Sequence, residues 1–151
     1  LEAIRCRAAV RLGIGASEEE AARRSQAVPK VAMVAAPAAY AALGGRAVEA
    51  HEVDLLARMM SMGTLHRAYA VSGAVATAGA AMIPGTVVGE LVREEARGKD
   101  LLRIGHPGGV IDVGAVIEPR AGEFIYREAV LGRTARRLME GNVLVPEHCF
   151  D

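Results

Sequence analysis

The run Ala70-Val71-Ser72-Gly73-Ala74-Val75-Ala76-Thr77-Ala78-Gly79-Ala80-Ala81 constrains the fold more than any other part of this chain. It is uncharged, built from small residues, and has no polar face to turn to water. As a helix it must therefore be buried. Ser72 stands at its start, where a hydroxyl can cap the orphan amides of a first turn. Gly73 leaves the backbone open to a ligand. A buried helix that opens on Ser-Gly gathers free N–H groups and the positive end of the dipole, which is the make-up of an anion site. A core helix with an ordinary cap has the same pattern, and the residues alone leave both readings open.

The 151 residues suffice for one domain with its own core. Apolar residues make up 52% and tryptophan is absent, so the core relies on close backbone approach rather than on large aromatic plugs. Lys+Arg and Asp+Glu balance at 18 each, which leaves no net field to draw nucleic acid or an acidic membrane. No stretch reaches the roughly 20 apolar residues of a membrane span, and no signal peptide is visible. Cys6 and Cys149 lie near opposite ends, outside any Cys-x-x-Cys or metal-ligand spacing. Free thiols in a reducing cytoplasm are the expectation, with a disulfide between them as the other option. The chain opens at Leu1 in mid-pattern and reads as a piece of something longer.

Residues 1–12 have the spacing of an amphipathic helix, with Leu1, Ile4, Ala8 and Leu12 on its apolar side. Ser17-Glu18-Glu19-Glu20 matches a capping box and opens a short polar helix. Val31-Ala32-Met33-Val34-Ala35-Ala36, between Pro29 and Pro37, reads as a buried strand, and the signal over 38–50 is weak. Over 52–60 the spacing of Val53, Leu56 and Met60 predicts a helix, although Leu55-Leu56 and Met59-Met60 suit a strand equally. Ile83-Pro84-Gly85-Thr86 stops the central helix, and 90–97 reads as a charged, solvated connection. Strand-like runs over 101–104, 109–117 and 124–130, parted by His106-Pro107-Gly108 and Pro119-Arg120-Ala121-Gly122, are typical of consecutive hairpins. Thr134 to Met139 is helical by propensity, and Asn142 to Val145 reads as a last strand. Strands wrapped around one apolar helix give an α+β fold, a curved sheet with the helix as its core.

Among residues with chemistry, His66 precedes Ser72 by one short segment, and His106 sits in the turn Gly105-His106-Pro107-Gly108-Gly109. An imidazole in a glycine-rich turn can reach a ligand, and its pKa suits proton transfer or carboxylate binding. A plain turn residue is the competing reading. His51 and His148 lack such context. The glycine cluster fits neither a Walker loop nor a dinucleotide fingerprint. Arg133, Arg136 and Arg137 are of the type that grips carboxylates, though such a cluster is more often a solvated face. Met59, Met60 and Met62 read as core filler. The residues by themselves describe a domain with a small-anion site suited to a carboxylate.

Several stretches together resemble one family. They are Asp54-Leu55-Leu56-Ala57-Arg58-Met59-Met60-Ser61-Met62-Gly63 with Leu65-His66, then Ala70-Val71-Ser72-Gly73-Ala74-Val75, and Ile83-Pro84-Gly85-Thr86-Val87-Val88. Arg103-Ile104-Gly105-His106-Pro107-Gly108-Gly109 and Arg133-Thr134-Ala135-Arg136-Arg137-Leu138-Met139-Glu140-Gly141 complete the set. In this order, over almost the whole chain, they are similar to the C-terminal half of the PrpF family of 2-methylaconitate and methylitaconate isomerases and oxalomesaconate tautomerases. The resemblance implies one lobe of a diaminopimelate-epimerase-like fold, a mostly antiparallel sheet or barrel wrapped around a central helix, with substrate held between two lobes. It also implies that 133–141 is extended despite its helix propensity. Such proteins move a proton along an unsaturated di- or tricarboxylate without cofactor or metal. The implied partners are a small polycarboxylate, the N-terminal lobe of the same protein and a second copy in a homodimer, with nucleic acid and membrane excluded.

Carried over by position, His66 would face the substrate as the catalytic group of this lobe. Ser72, Gly73 and Ala74 would bind a carboxylate, and Ser61, Met62 and Gly63 would shape the loop beside it. His106, Gly108 and Gly109 would form the turn over the pocket. Two departures stand out. Ala70 occupies the place of an epimerase cysteine, and Gly108 stands where most relatives carry serine. They keep open a second reading, a non-catalytic binding domain that retains the fold, and they disfavour an amino-acid epimerase. The principal lysine and cysteine acid/base groups would belong to the other lobe.

Overall fold

The computed structural model describes residues 1–99, 101–132 and 135–149, with His148 given through its backbone. Two helices, α1 (Glu2–Arg11) and α2 (Glu18–Arg24), precede a strand β1 (Val31–Ala35) and a small hairpin of β2 (Tyr40–Ala41) and β3 (Ala47–Val48). Strands β4 (Leu55–Ser61) and β5 (Thr64–Leu65) lead into the central helix α3 (Val71–Ala81) and the short α4 (Val87–Leu91). Three long strands follow: β6 (Leu102–His106), β7 (Gly109–Arg120) and β8 (Glu123–Leu131). The main sheet runs β1-β4-β6-β7-β8, with β5 added beside β4. Among the described residues only the β4–β6 pair is parallel. The sheet curls as a half-barrel around α3, with β1 and β8 as its edges among the described residues. This is the α+β, mostly antiparallel layout that the sequence predicts, short of barrel closure.

Residues 55–61 form a strand, not the helix that the spacing favours. Leu55, Ala57 and Met59 are buried and face α3, whereas Leu56, Arg58 and Met60 turn to the other side, a period of two. Hydrogen bonding to β1 on one edge and to β6 and β5 on the other overrides a composition without β-branched residues.

The α1 stripe is also corrected. Ile4 and Leu12 are 62% and 65% exposed, and the buried face carries Arg5, Cys6 and Ala9. Arg5 wins this contest through its bonding. Its guanidinium donates to Glu2, to Ala21 O and Val28 O at 3.2 Å each, and to Ser25 O, tying α1 to the end of α2. Ser17 does cap α2, accepting from the Glu20 amide at 3.1 Å, while Glu20 reaches back to the Ala16 amide.

In α3 the buried residues Gly73, Ala74, Thr77, Ala78, Gly79 and Ala81 lie against the sheet, and Ser72 and Ala76 are exposed. The one polar side chain on the buried face, Thr77, shares a 2.9 Å hydrogen bond with the hydroxyl of buried Tyr69. Within 90–97 the structure buries Val92 and Ala96, so that connection is partly core. Residues 135–146 contain neither the helix nor the strand expected for 134–139 and 142–145. Thr134 and Arg133 lie outside the described residues. Both cysteines are free, Cys6 buried and Cys149 exposed. No described helix is long and apolar enough to cross a membrane.

Candidate functional site

Strand β4 organises the site along one of its edges. Parallel pairing with β6 covers Leu55 and Leu56, opposite Ile104 and Gly105. Further along the same edge, β5 takes over opposite Met60 and Ser61, and the His66 amide donates to Met59 O at 2.8 Å. His66 thus sits just beyond the point where β6 leaves β4, which is also where the His106–Gly109 turn closes the β6–β7 hairpin. Contact between the two segments is close: a Cβ on Gly108 would stand 3.3 Å from Arg67 O and from His106 Cε1. Glycine here keeps the turn against the 66–70 segment, which runs directly into α3.

Each imidazole is oriented by a neighbouring amide. The Ala68 N–H donates to His66 Nδ1, and the Gly108 N–H donates to His106 Nδ1, both at 3.1 Å. With Nδ1 acting as acceptor, the neutral ring carries its proton on Nε2 and offers it as a donor. His106 is only 8% exposed, and burial, aided by the charges of Arg58 and His66, lowers its pKa below the ordinary histidine value. Its neutral form therefore favours the fold. That contribution is full above the unfolded value near ~6.5 and is lost as pH falls from there through the folded value. The urea midpoint of the wild type is expected to fall below that pH, and a His106→Gln variant should show a shallower fall.

At the helix, the N-cap is Ala70 rather than Ser72, and no side chain caps the first turn. This corrects the expected role of Ser72, whose exposed hydroxyl is free for other partners. The cap leaves the Val71, Ser72 and Gly73 amides without an intrahelical acceptor. Gly73 itself is buried, and its missing side chain makes room for Met59: a Cβ would lie 2.0 Å from Met59 Cε. Ala74 is not an open donor, because its amide already bonds Ala70 O at 2.8 Å and its methyl is fully buried.

Ser61, Met62 and Gly63 form the tip of the β4–β5 hairpin. Met62 and Gly63 both have positive φ, 51° and 79°, the pattern of a type I′ turn. Met62 lines a dip with Arg23 at the end of α2 and Val28 in the loop after it. The arginine cluster is solvated in its described part, with Arg137 paired to Glu140 at 2.7 Å on the surface. His51 is exposed and its carbonyl accepts from Arg103 at 2.8 Å. The side chain of His148 lies outside the described residues.

A cavity of about 770 Å³ lies beyond the C-terminal end of α3, where Ile83, Arg97, Lys99, Val116 and Glu128 line it. It carries both signs of charge and none of the expected site residues. His66 is half-buried and His106 buried. Among the described residues, no three His, Cys, Asp or Glu side chains gather where they could hold a metal ion. The donors in these segments are two Nε2–H groups, the free amides of α3 and the Ser72 hydroxyl, group types suited to a carboxylate.

Three residues behind the turn escaped the sequence reading. Tyr40 shares its one hydroxyl proton between His106 O, at 3.0 Å, and Gly109 O, the Leu43 amide donates to Pro107 O at 2.6 Å, and Arg58 Nη1 donates to Gly105 O at 3.1 Å. Tyr40 and Leu43 lie in the stretch with the weakest secondary-structure signal. Arg58 lies in a strongly patterned one that gives no hint of its partner.

Comparison with known proteins fits this architecture. A family model described as PrpF protein matches residues 1–146. The chain is 46% identical over 148 residues to a 2-methyl-aconitate isomerase of Shewanella oneidensis, covering 97% of this chain and 36% of the relative. It is 41% identical over 146 residues to a 3-methylitaconate isomerase of Eubacterium barkeri, covering 96% of this chain and 37% of that protein. A crystal structure of methylitaconate-delta-isomerase superposes with a TM-score of 0.80 at 40% identity, over 93% of this chain and 35% of that one. The chain thus spans about a third of the length of these relatives. Helix, turn and sheet agree with a match over nearly the whole sequence, and the chain belongs to the PrpF family.

Proposed function

We propose that this chain is the C-terminal lobe of a two-lobe isomerase of unsaturated di- or tricarboxylates, and that it supplies carboxylate binding. The observation that supports the reading is that His66 and His106 are each held by a neighbouring amide as Nε2–H donors, the Gly108 turn packs against Arg67, and the segment from His66 runs into the uncapped first turn of α3. The names of the relatives support the substrate class. Removing a proton beside a conjugated carboxylate builds enolate charge, and donors fixed in advance stabilise that charge where it develops. One exposed helix dipole contributes only about 0.3–1 kcal/mol, so amides, Ser72 and both imidazoles would have to act together. Within this reading His66 faces the reacting carbons, and Ser72, with the amides of Val71 and Gly73, holds one carboxylate. His106 closes over another, with Gly108 and Gly109 shaping the turn and Ser61 to Gly63 the rim. No cofactor is assigned, because proton movement next to a carboxylate asks only for a base, an acid and charge stabilisation. The grouped residues include no thiol, amine or carboxylate, so the main acid/base pair is assigned to the N-terminal lobe. A cytosolic setting, in keeping with the unpaired thiols Cys6 and Cys149, belongs to the same reading.

The absence of a strong base from this group also favours, as a second reading, a binding domain without turnover. Backbone-amide NMR of the folded chain, titrated with cis-aconitate, tests the common part. Shifts confined to 66–73 and 106–109 are expected. A folded chain that shows none of them with cis-aconitate or mesaconate would sink the carboxylate site. Deuterium exchange into cis-aconitate by a protein carrying both lobes then separates enzyme from binding domain.

A further inference from the structure

Four of the five carbonyls of the 105–109 turn are held from outside the hairpin, by Arg58, Tyr40 and the Leu43 amide. A two-residue hairpin turn ordinarily closes with its own ladder bonds and is otherwise left to water. Here Pro107 at the first loop position excludes the φ > 0 that the favoured hairpin turns need, and Gly109 takes up the mismatch at φ 133°. The turn therefore does not fix its own geometry. The grip comes from the β2–β3 hairpin, which has two residues in each strand and is anchored by buried Ala42, Val48 and Val53. Arg58 completes it by stacking over the Tyr40 ring at 4.8 Å while donating to Ala57 O and Gly105 O.

We propose that Tyr40, with Arg58 stacked on it, is a positioning clamp that sets the His106 imidazole as an Nε2–H donor toward the site. Tyr40 does not touch substrate in this scheme. It acts through the carbonyls of His106 and Gly109, whose placement lets the Gly108 amide reach His106 Nδ1 at 3.1 Å. Loosen that backbone and the amide leaves Nδ1, so the ring is free to exchange tautomers. The use of His106 as a carboxylate donor rests on the function proposed above, whereas the clamp itself is readable in the free chain.

Nitrogen-15 NMR of the histidine rings, compared between the wild-type chain and Tyr40→Phe, tests it. Phenylalanine keeps the stacked ring and removes only the hydroxyl. The wild type is expected to show His106 as a single Nε2–H tautomer. In Tyr40→Phe the Nδ1 and Nε2 signals of His106 should move toward each other and the Gly108 amide proton should shift upfield, with His51 unchanged. Arg58→Lys, which keeps the cation but loses the stack and the fork, should move them in the same direction by less. It carries the test alone if Tyr40→Phe does not give a native spectrum. Unchanged His106 ring signals in a folded variant overturn the clamp. Titration with cis-aconitate separates the two claims. Tautomer mixing in Tyr40→Phe upholds the clamp even where cis-aconitate shifts nothing. Wild-type-like ring signals alongside cis-aconitate shifts overturn the clamp and leave the carboxylate site standing.

Discussion

Asp54→Ala is expected to destabilise the chain by roughly 3 kcal/mol, the low end of the range of about 3–5 kcal/mol for breaking a buried ion pair by removing one partner. Asp54 is 1% exposed and accepts from the Arg103 amide at 2.9 Å, from Arg103 Nε at 3.0 Å and from Nη2 at 2.6 Å. Arg93 Nε lies 4.0 Å away, buried and without any other acceptor. Alanine removes the carboxylate from both guanidiniums, but Arg93 Nη2 keeps Ala50 O and Val53 O, Arg103 Nη1 keeps His51 O, and the Arg103 side chain is 37% exposed and can turn to water, which places the loss at the low end. For a chain of this size the melting temperature should drop by about 6–12 °C. An unfolding free energy within about 0.5 kcal/mol of wild type by urea denaturation would show that the carboxylate is dispensable.

The pH dependence gives the same test a second arm. Burial by itself pushes the Asp54 carboxyl up, and the bonds from the Arg103 side chain and amide outweigh it, holding the group below the usual carboxylate range. A depressed folded pKa means that the contribution is present above the unfolded value near ~3.9 and is lost as pH falls through the folded one. Acid unfolding should therefore be less steep in Asp54→Asn than in wild type.

Asp54 also marks the limit of sequence reading here. It opens a patterned segment, and its acidity looks like a helix N-terminal preference until β4 and β6 are seen to bring Arg103 alongside it. The elements that could be read locally were those with local causes: the Ser17 cap, the hairpin turns, and the small-residue helix stopped by Pro84. The errors have tertiary causes. Residues 55–61 became a strand because partners bond both their edges. The apolar stripe of α1 lost to Arg5, whose carbonyl partners at 21, 25 and 28 cannot be foreseen from periodicity. In the site, His66 and His106 could be named from their turns and from the resemblance. Tyr40 could not, because its role depends on a contact 66 residues away in sequence.

Gly73 allows the sharpest choice between a ligand-driven and a packing-driven residue. Read in sequence it leaves space for a ligand; in the structure it leaves space for Met59, whose methyl would stand 2.0 Å from a new Cβ. Met59 is 3% exposed and enclosed by the core, so it cannot swing out to water. Gly73→Ala in the wild type is expected to cost about 1–3 kcal/mol through overpacking. Met59→Ala alone should cost about 2–5 kcal/mol through its cavity. In the Met59→Ala background the clash is gone, and alanine is the better helix residue by up to about 1 kcal/mol. Gly73→Ala should then turn neutral or stabilising, a reversal of sign read from urea unfolding of the four chains. Additive costs would refute the packing account. The double variant should also retain cis-aconitate shifts at the Val71 and Ser72 amides, since on this account the wild-type glycine makes room for Met59 and not for the ligand, and alanine keeps the backbone amide. A stable double variant that no longer responds would return Gly73 to the binding site.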